Sequence, residues 1–261
     1  MKRLKSMLKV DFRRMFTTPL FYIVTGTCLV VPILILVMTT MMDGSVSVNP
    51  QTGEETVMEA FDSAWQIIGT IPEENAETTS AMEIDMLSMC NINLLYFGIS
   101  VLVCLFTSAD FRSGYAKNLF TVRSRKTDYV ISKTLVCTIC GMIMVLAFFI
   151  GTLLGGAIAG LPFEMIGFNI ENLVMCILSK MILIAVFVPI YLLMSVIAKQ
   201  KVWLSILLSM MTGMFLFMMI PMLSPLNATV MNVLLCAAGG VGIAAGLGAI
   251  SNQVLKKTSL V

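Results

Sequence analysis

The chain has 261 residues, of which 17 are Lys or Arg and 15 are Asp or Glu, so that 12% are charged and 58% hydrophobic. An ordinary soluble domain carries about 25% charged residues, whereas here the apolar residues fall in runs of about 20, the length that crosses a bilayer. A water-soluble globular protein is excluded. With no His in the chain, so are Ser-His-Asp catalysis and His-ligated zinc.

Residues 1–19 read as an amphipathic helix. Leu4, Met7, Leu8, Phe12, Met15 and Phe16 follow the spacing of one helical face, with Lys5, Lys9 and Arg13 elsewhere around the wheel. A basic helix of this kind lies in the membrane plane, with Lys5, Lys9, Arg13 and Arg14 anchored near anionic headgroups. It serves either as a topology anchor or as an elbow that braces a transporter. Thr17, Thr18 and Pro19 supply the bend, because proline ends the preceding helix.

Residues 20–251 then read as an all-α transmembrane domain of six spans: Leu20 to Met42, Met86 to Ala109, Leu135 to Ala159, Leu173 to Ala198, Trp203 to Ile220 and Val230 to Ser251. Residues 252–261 form a tail. The first span is too long for the apolar core of a cleaved signal peptide and lacks a small-x-small site. Drawing six spans puts 16 of the 17 basic residues on one side, with Lys180 the exception. Because short basic loops stay in the cytoplasm, the chain is expected in the cell membrane with both termini cytoplasmic.

The stretch 43–85 becomes an outer loop with ten acids and no Lys or Arg. Asn49, Pro50, Gly53 and Pro72 mark turns within it, and Val57 to Gly69 and Thr78 to Ser88 read as short helices. It is either a solvated cap or a gate that attracts cations by its field. Asn227-Ala228-Thr229 matches a glycosylation sequon.

The loop 110–133 is about 24 residues long where a connector needs only 2 to 8. It mixes cations with Tyr115, Leu119, Phe120 and Val122, and Gly114 breaks it. A short helix from Tyr115 to Thr121 would expose Leu119 and Phe120 to a groove on a cytosolic partner, with Arg123, Arg125 and Asp128 as rim charges. The alternative is a loop folded back at the headgroups.

This layout resembles the permease subunit of ABC-2-type ABC transporters: a basic elbow helix, six spans, and a first cytoplasmic loop of the form Gly-Tyr-Ala-Lys-Asn-Leu followed by Ser-Arg-Lys and then Ser-Lys. The resemblance implies that Gly114 through Arg125 carries the coupling helix. Gly114, Tyr115, Lys117, Asn118, Leu119, Phe120, Arg123 and Arg125 would then engage an ATPase. It further implies two P-loop ATPase chains that bind ATP and Mg, a second permease chain, and a cycle in which ATP-driven closure pushes the loop and tilts spans two and five. The large loop after span one resembles the bacterial subfamilies of peptide-antibiotic immunity and small-molecule efflux.

The residues themselves agree that the energy source lies elsewhere. No GxxxxGK[ST] loop is present to cradle ATP phosphates, so this chain is expected to bind no cofactor and to catalyse nothing itself. No carboxylate lies well inside a span, which argues against ion-coupled transport. Lys180 is the one intramembrane cation. It either snorkels to the outer headgroups or lines the translocation path, paired with Glu171 or Glu164. Gly151 and Gly155, Gly156 and Gly160, and Gly242 and Gly246 form GxxxG pairs that permit close helix approach. Cys137 and Cys140 read as packing, and Pro32 and Pro189 as kinks. The few charges and 23 Met suit a hydrophobic or amphipathic substrate such as an antibiotic peptide, drug or lipid-like molecule. The competing readings are a membrane scaffold that recruits a cytosolic protein, and an uncoupled channel. Nucleic acid is not an expected partner.

Overall fold

A computed structural model describes residues 2–48, 55–57, 61–69, 91–122, 126–164, 169–198, 201–217 and 220–257. Helix α1 (Lys2–Thr17) ends where Thr18 adopts extended backbone, with φ −83° and ψ 123°, and Pro19 opens α2 (Pro19–Met41). Pro at the first helical position gives up no hydrogen bond. Thr18 Oγ1 donates back to the Arg14 carbonyl at 2.7 Å, which occupies one of the carbonyls left free at the end of α1. Phe16 meets Phe21 edge to face at 5.0 Å across the corner. The most buried line of α1 is Met7, Asp11, Met15, so an acid sits in the middle of its apolar face.

The remaining helices are α3 (Leu95–Arg112), α4 (Tyr115–Val122), α5 (Lys126–Ala159), α6 (Ile170–Ala198), α7 (Val202–Phe217), α8 (Ile220–Leu223) and α9 (Val230–Lys257). Among the described residues five apolar helices are long enough to cross a membrane: α2, α3 with the 3-10 turn ahead of it, α5, α6 and α9. They fit a membrane-embedded protein. The expected fifth span is shorter: α7 has 16 residues, and four-residue α8 follows after 218–219, which lie outside the described residues. The second expected span starts later than Met86. Its helix begins at Leu95, behind a 3-10 turn Ile92–Leu94 that the Asn91 side chain caps by accepting from the Asn93 amide.

Helix α6 is the centre. It buries residues on every side, from Leu173 and Ile184 to Phe187 and Tyr191, and touches α3, α5, α7 and α9. An all-round apolar helix belongs in such a position. Helix α5 has 34 residues, about 51 Å at 1.5 Å per residue, well beyond a hydrocarbon core of about 30 Å. Its first turns therefore run past the start of α2, where they meet α1.

Helix α2 lies along α5, and two glycines set their separation. A Cβ on Gly151 would run into the Leu29 carbonyl oxygen, and one on Gly155 would sit 2.8 Å from Ile33 Cα. The GxxxG pair of α9 is different: Gly242 and Gly246 have nothing within 4 Å. Identical spacing thus serves intrachain packing in one helix and faces away from the chain in the other.

Of the acidic loop, Val46–Val48 and Glu55–Val57 pair as an antiparallel ribbon with Val46 opposite Val57. The helix expected over Val57 to Gly69 is replaced by a strand end at Val57 and one 3-10 turn, Ala64–Ile67. That turn is not solvated. Trp65 stacks on Phe149 at 5.9 Å and donates its indole N–H to the Phe163 carbonyl at 2.8 Å, while Ile67 and Ile68 are fully buried. The expected turns at Asn49, Pro50, Gly53 and Pro72, and the helix over Thr78 to Ser88, lie outside the described residues.

Two glycine pairs of one spacing should respond oppositely. Gly155→Leu must push α2 off α5, an overpacking cost of about 1–3 kcal/mol or more, and should lower the thermal midpoint of the detergent-solubilised chain. Gly246→Leu should leave that midpoint within a degree or two.

Candidate functional site: a buried charge cluster and an intramembrane lysine

At the end of the bundle where α1 crosses α3 and α5, four charged side chains meet. Lys133 Nζ lies 3.0 Å from Asp11 Oδ1 and 2.7 Å from Asp110 Oδ2, and all three side chains are fully buried. Arg14 Nη2 pairs with Asp110 Oδ1 at 2.6 Å, and its Nη1 stands 4.0 Å from Asp11. Ser132 Oγ donates to Asp11 Oδ2 at 2.6 Å and Tyr129 donates to Asp110 Oδ2 at 3.1 Å. The cations also sit against rings, Lys133 at 3.7 Å from the Phe106 centroid and Arg14 at 4.3 Å from that of Tyr115. Two positive and two negative groups therefore share one site, buried except for Arg14, which is one third exposed, and there attraction offsets desolvation only because geometry and added hydrogen bonds are good. Burial lowers the basicity of the Arg14 guanidinium, but Asp110, followed by Tyr115 and Asp11, outweighs it, and its pKa is raised. The Tyr115 phenol is also pushed up, by burial and then by Asp11, against the pull of Arg14.

Local sequence builds each part. Asp110 occupies the last turn of α3, after which Gly114, with φ +72°, reverses the chain in a left-handed conformation that glycine adopts without strain. The reversal lays α4 back against the end of α3 and brings Phe120 to Tyr129 of α5. Ala116 is buried and Phe120 packs edge to face on Tyr129 at 5.3 Å. Leu119 and Phe120, expected to project toward a partner, are half-buried against the core instead, because positions 116, 119 and 120 form one helical stripe that faces the bundle. The exposed residues of α4 are Lys117, Asn118 and Thr121. Arg123 and Arg125 lie outside the described residues. At the start of α5, Lys126 Nζ donates to the Leu255 carbonyl at 2.6 Å and so ties the last turns of α9 to the same end.

Of the four cations expected at headgroups, Lys5, Lys9 and Arg13 are exposed on α1, whereas Arg14 turns into the bundle. Asp11, Asp110 and Lys133 were not singled out by sequence. The available signal was the acid at position 11, on the apolar face between Met7 and Met15.

Lys180 lies ten residues into α6 and is 1% exposed, so it does not snorkel. Its Nζ donates to Asn93 Oδ1 at 3.3 Å and to Ser224 Oγ at 3.1 Å. Among the described residues no carboxylate pairs with it. Glu164 and Glu171, its expected partners, are both exposed. Tyr96 donates to the Lys180 carbonyl at 2.8 Å. Between the two sites α3 turns a line of small polar groups inward: Cys104 meets Ser209 Oγ at 3.1 Å and Ser108 meets Ser195 Oγ at 3.4 Å. Cys137 and Cys140 are buried and free, within the core of α5.

Comparison with known protein families, curated proteins and solved structures returns no match.

The two buried lysines should separate in one assay. Lys133→Met removes the group that holds two carboxylates and should destabilise the chain by about 3–5 kcal/mol. Asp11→Leu combined with Lys133→Met leaves Arg14–Asp110 as a neutral pair and should recover at least about 1 kcal/mol of that loss. Lys180→Met removes a buried group that no carboxylate balances, and should change stability by less than about 1 kcal/mol. Thermal unfolding in detergent reads all three.

Proposed function

We propose that the chain is the permease subunit of an ATP-driven exporter in the cell membrane, moving a hydrophobic or amphipathic substrate such as an antibiotic peptide, a drug or a lipid-like molecule. The observation that carries this reading is the seating of α4. It is an eight-residue helix whose polar residues Lys117, Asn118 and Thr121 are uncovered, and whose other face rests on Tyr129 and, through Tyr115, on Arg14. A push on its outer face reaches α1, α3 and α5 together, since the buried ion pairs and rings leave little slack between them. A loop that served only to connect α3 to α5 has no need of that bracing.

In this reading the basic end faces the cytoplasm, in keeping with the distribution of Lys and Arg. Helix α7 with α8 makes the fifth of six crossings, α1 is the elbow, and a second permease chain completes the pathway. The partners at α4 are two P-loop ATPase chains, which hold ATP and Mg; this chain contributes position and leverage, not hydrolysis. Lys180, buried and without a counter-charge among the described residues, supplies a cation among mostly apolar helix faces.

The test is co-purification from the native host with a tag on the C-terminus. A P-loop ATPase in near-equal amount is the expected companion. Lys117→Glu combined with Asn118→Asp should reduce its recovery at least tenfold while the permease itself is still inserted at normal yield. An undiminished ATPase yield with this variant would overturn α4 as the contact. Recovery of the permease alone, or with a signalling protein, would overturn the exporter.

A further inference from the structure

At the end of α3 away from the charge cluster, the bundle is covered by turns instead of long helix. Tyr96 at that end and Asp110 in the cluster are about 20 Å apart along α3. The cover has three parts: the turn within residues 61–69, the 3-10 turn Ile92–Leu94, and the break 224–229 between α8 and α9. Of these segments Ile67, Ile68, Ile92, Leu226 and Ala228 are fully buried. A Cβ on Gly69 would stand 3.5 Å from the Leu226 amide nitrogen, so the first part rests on the third. One side chain joins the second to the third. Lys180 Nζ donates to Asn93 Oδ1 at 3.3 Å and to Ser224 Oγ at 3.1 Å, and Ser224 donates its own hydroxyl to the Ile220 carbonyl, which leaves its oxygen to accept. Two thiols meet the same break: Cys176 Sγ donates to the Ser224 carbonyl at 3.6 Å and Cys236 Sγ to that of Leu223 at 3.7 Å.

We infer that Lys180 is a conformational switch under this cover, a buried ammonium whose hydration drives the break 224–229 to lift from α6 and the start of α3 and so admits water to that end of the bundle. Asn93 and Ser224 are neutral, and among the described residues no carboxylate pairs with Lys180, whereas Lys133 at the other end has two. A charge kept from water by neutral acceptors alone is held at high free energy, more so in a membrane, and lifting the break returns it to water. Short segments outside helices are also the parts of a fold that open most readily. The closed end is thus held by Asn93, Ser224 and the buried apolar residues against the pull of the lysine itself, which makes it an element with two states close in free energy. A lysine that acted only as a strut would work the other way, since its removal would loosen the cover. The inference does not rest on the exporter reading, because it uses only the cover and the lysine beneath it.

The test alkylates the full-length chain in mild detergent with N-ethylmaleimide and reads the rate at each cysteine by mass spectrometry. Cys176 and Cys236 report on the break, and Cys137, fully buried in α5, is the internal reference. Asn93→Leu, which takes away one acceptor and leaves the ammonium, should speed both reporters against the reference at least about tenfold, the worth of a hydrogen bond to a charged group. Ser224→Ala should do the same, and it carries the test if Asn93→Leu does not fold. Lys180→Met should instead hold both reporters at or below the wild-type rate, and in that background Asn93→Leu should bring no acceleration. Any acceleration of the reporters by Lys180→Met would show a strut and overturn the switch. So would unchanged rates in both Asn93→Leu and Ser224→Ala, acceleration by Asn93→Leu that persists without the lysine, or a rise at Cys137 equal to that at the reporters, which marks general loosening.

Discussion

Two buried carboxylates and a buried ammonium, closed on the outer side by a guanidinium that is one third exposed, are the constraint around which the basic end of this chain is arranged. Neither the carboxylates nor the ammonium are tolerable there alone. Asp110 is the pivot, since it accepts from Lys133, Arg14 and Tyr129, which come from α5, α1 and again α5. Each partner has a second obligation: Lys133 to Asp11, Arg14 to the Tyr115 ring, and Tyr129 to Phe120. Four helices are thereby committed to one relative placement. Apolar packing alone would not do this, because contacts between side chains that resemble lipid tails differ little when helices slide or rotate.

Away from that end the helices are held by shape. Gly151 and Gly155 let the α2 backbone approach α5 until Pro32 and Leu29 fill the space that side chains would have taken. Gly141 does the same for Ile184 of α6, at 2.7 Å from a would-be Cβ. By contrast α9 contacts α6 and α5 over one side and leaves Val230, Leu234, Val241 and Ile250 uncovered, as suits a helix against lipid. The chain thus combines a rigid, charge-locked end with a bundle whose rim is exposed.

Lys180 and Lys133 illustrate how one residue type takes two meanings. Both are fully buried, yet one is saturated by carboxylates and the other by an amide oxygen and a hydroxyl. The first is part of the scaffold. The second stands where α6 passes the break between α8 and α9, beside Ser224, whose own hydroxyl leans on the Ile220 carbonyl.

Much of this molecule is written in local pattern. The apolar runs gave the long helices, Pro19 and Gly114 gave the breaks after α1 and α3, and the spread of Lys and Arg gave the bundle two unlike ends, because each depends only on residues a few positions apart. What the pattern misjudged is orientation. Leu119 and Phe120 read as partner-facing until α4 folds back and α5 presents Tyr129 to them, and the Val57 to Gly69 helix gives way to a strand end and a buried turn anchored by Trp65. Asp110 and Lys133 bound the loop 110–133 in the sequence, and Asp11 is given no role there. Tertiary structure makes them one site because α5 begins well ahead of the stretch that packs on α2, and α1 crosses it there beside the end of α3. Sequence fixes how often a helix repeats its polar residues, but which of them meet is decided by the rotation and crossing of helices far apart in the chain, through close contacts and charge pairing that no single segment contains.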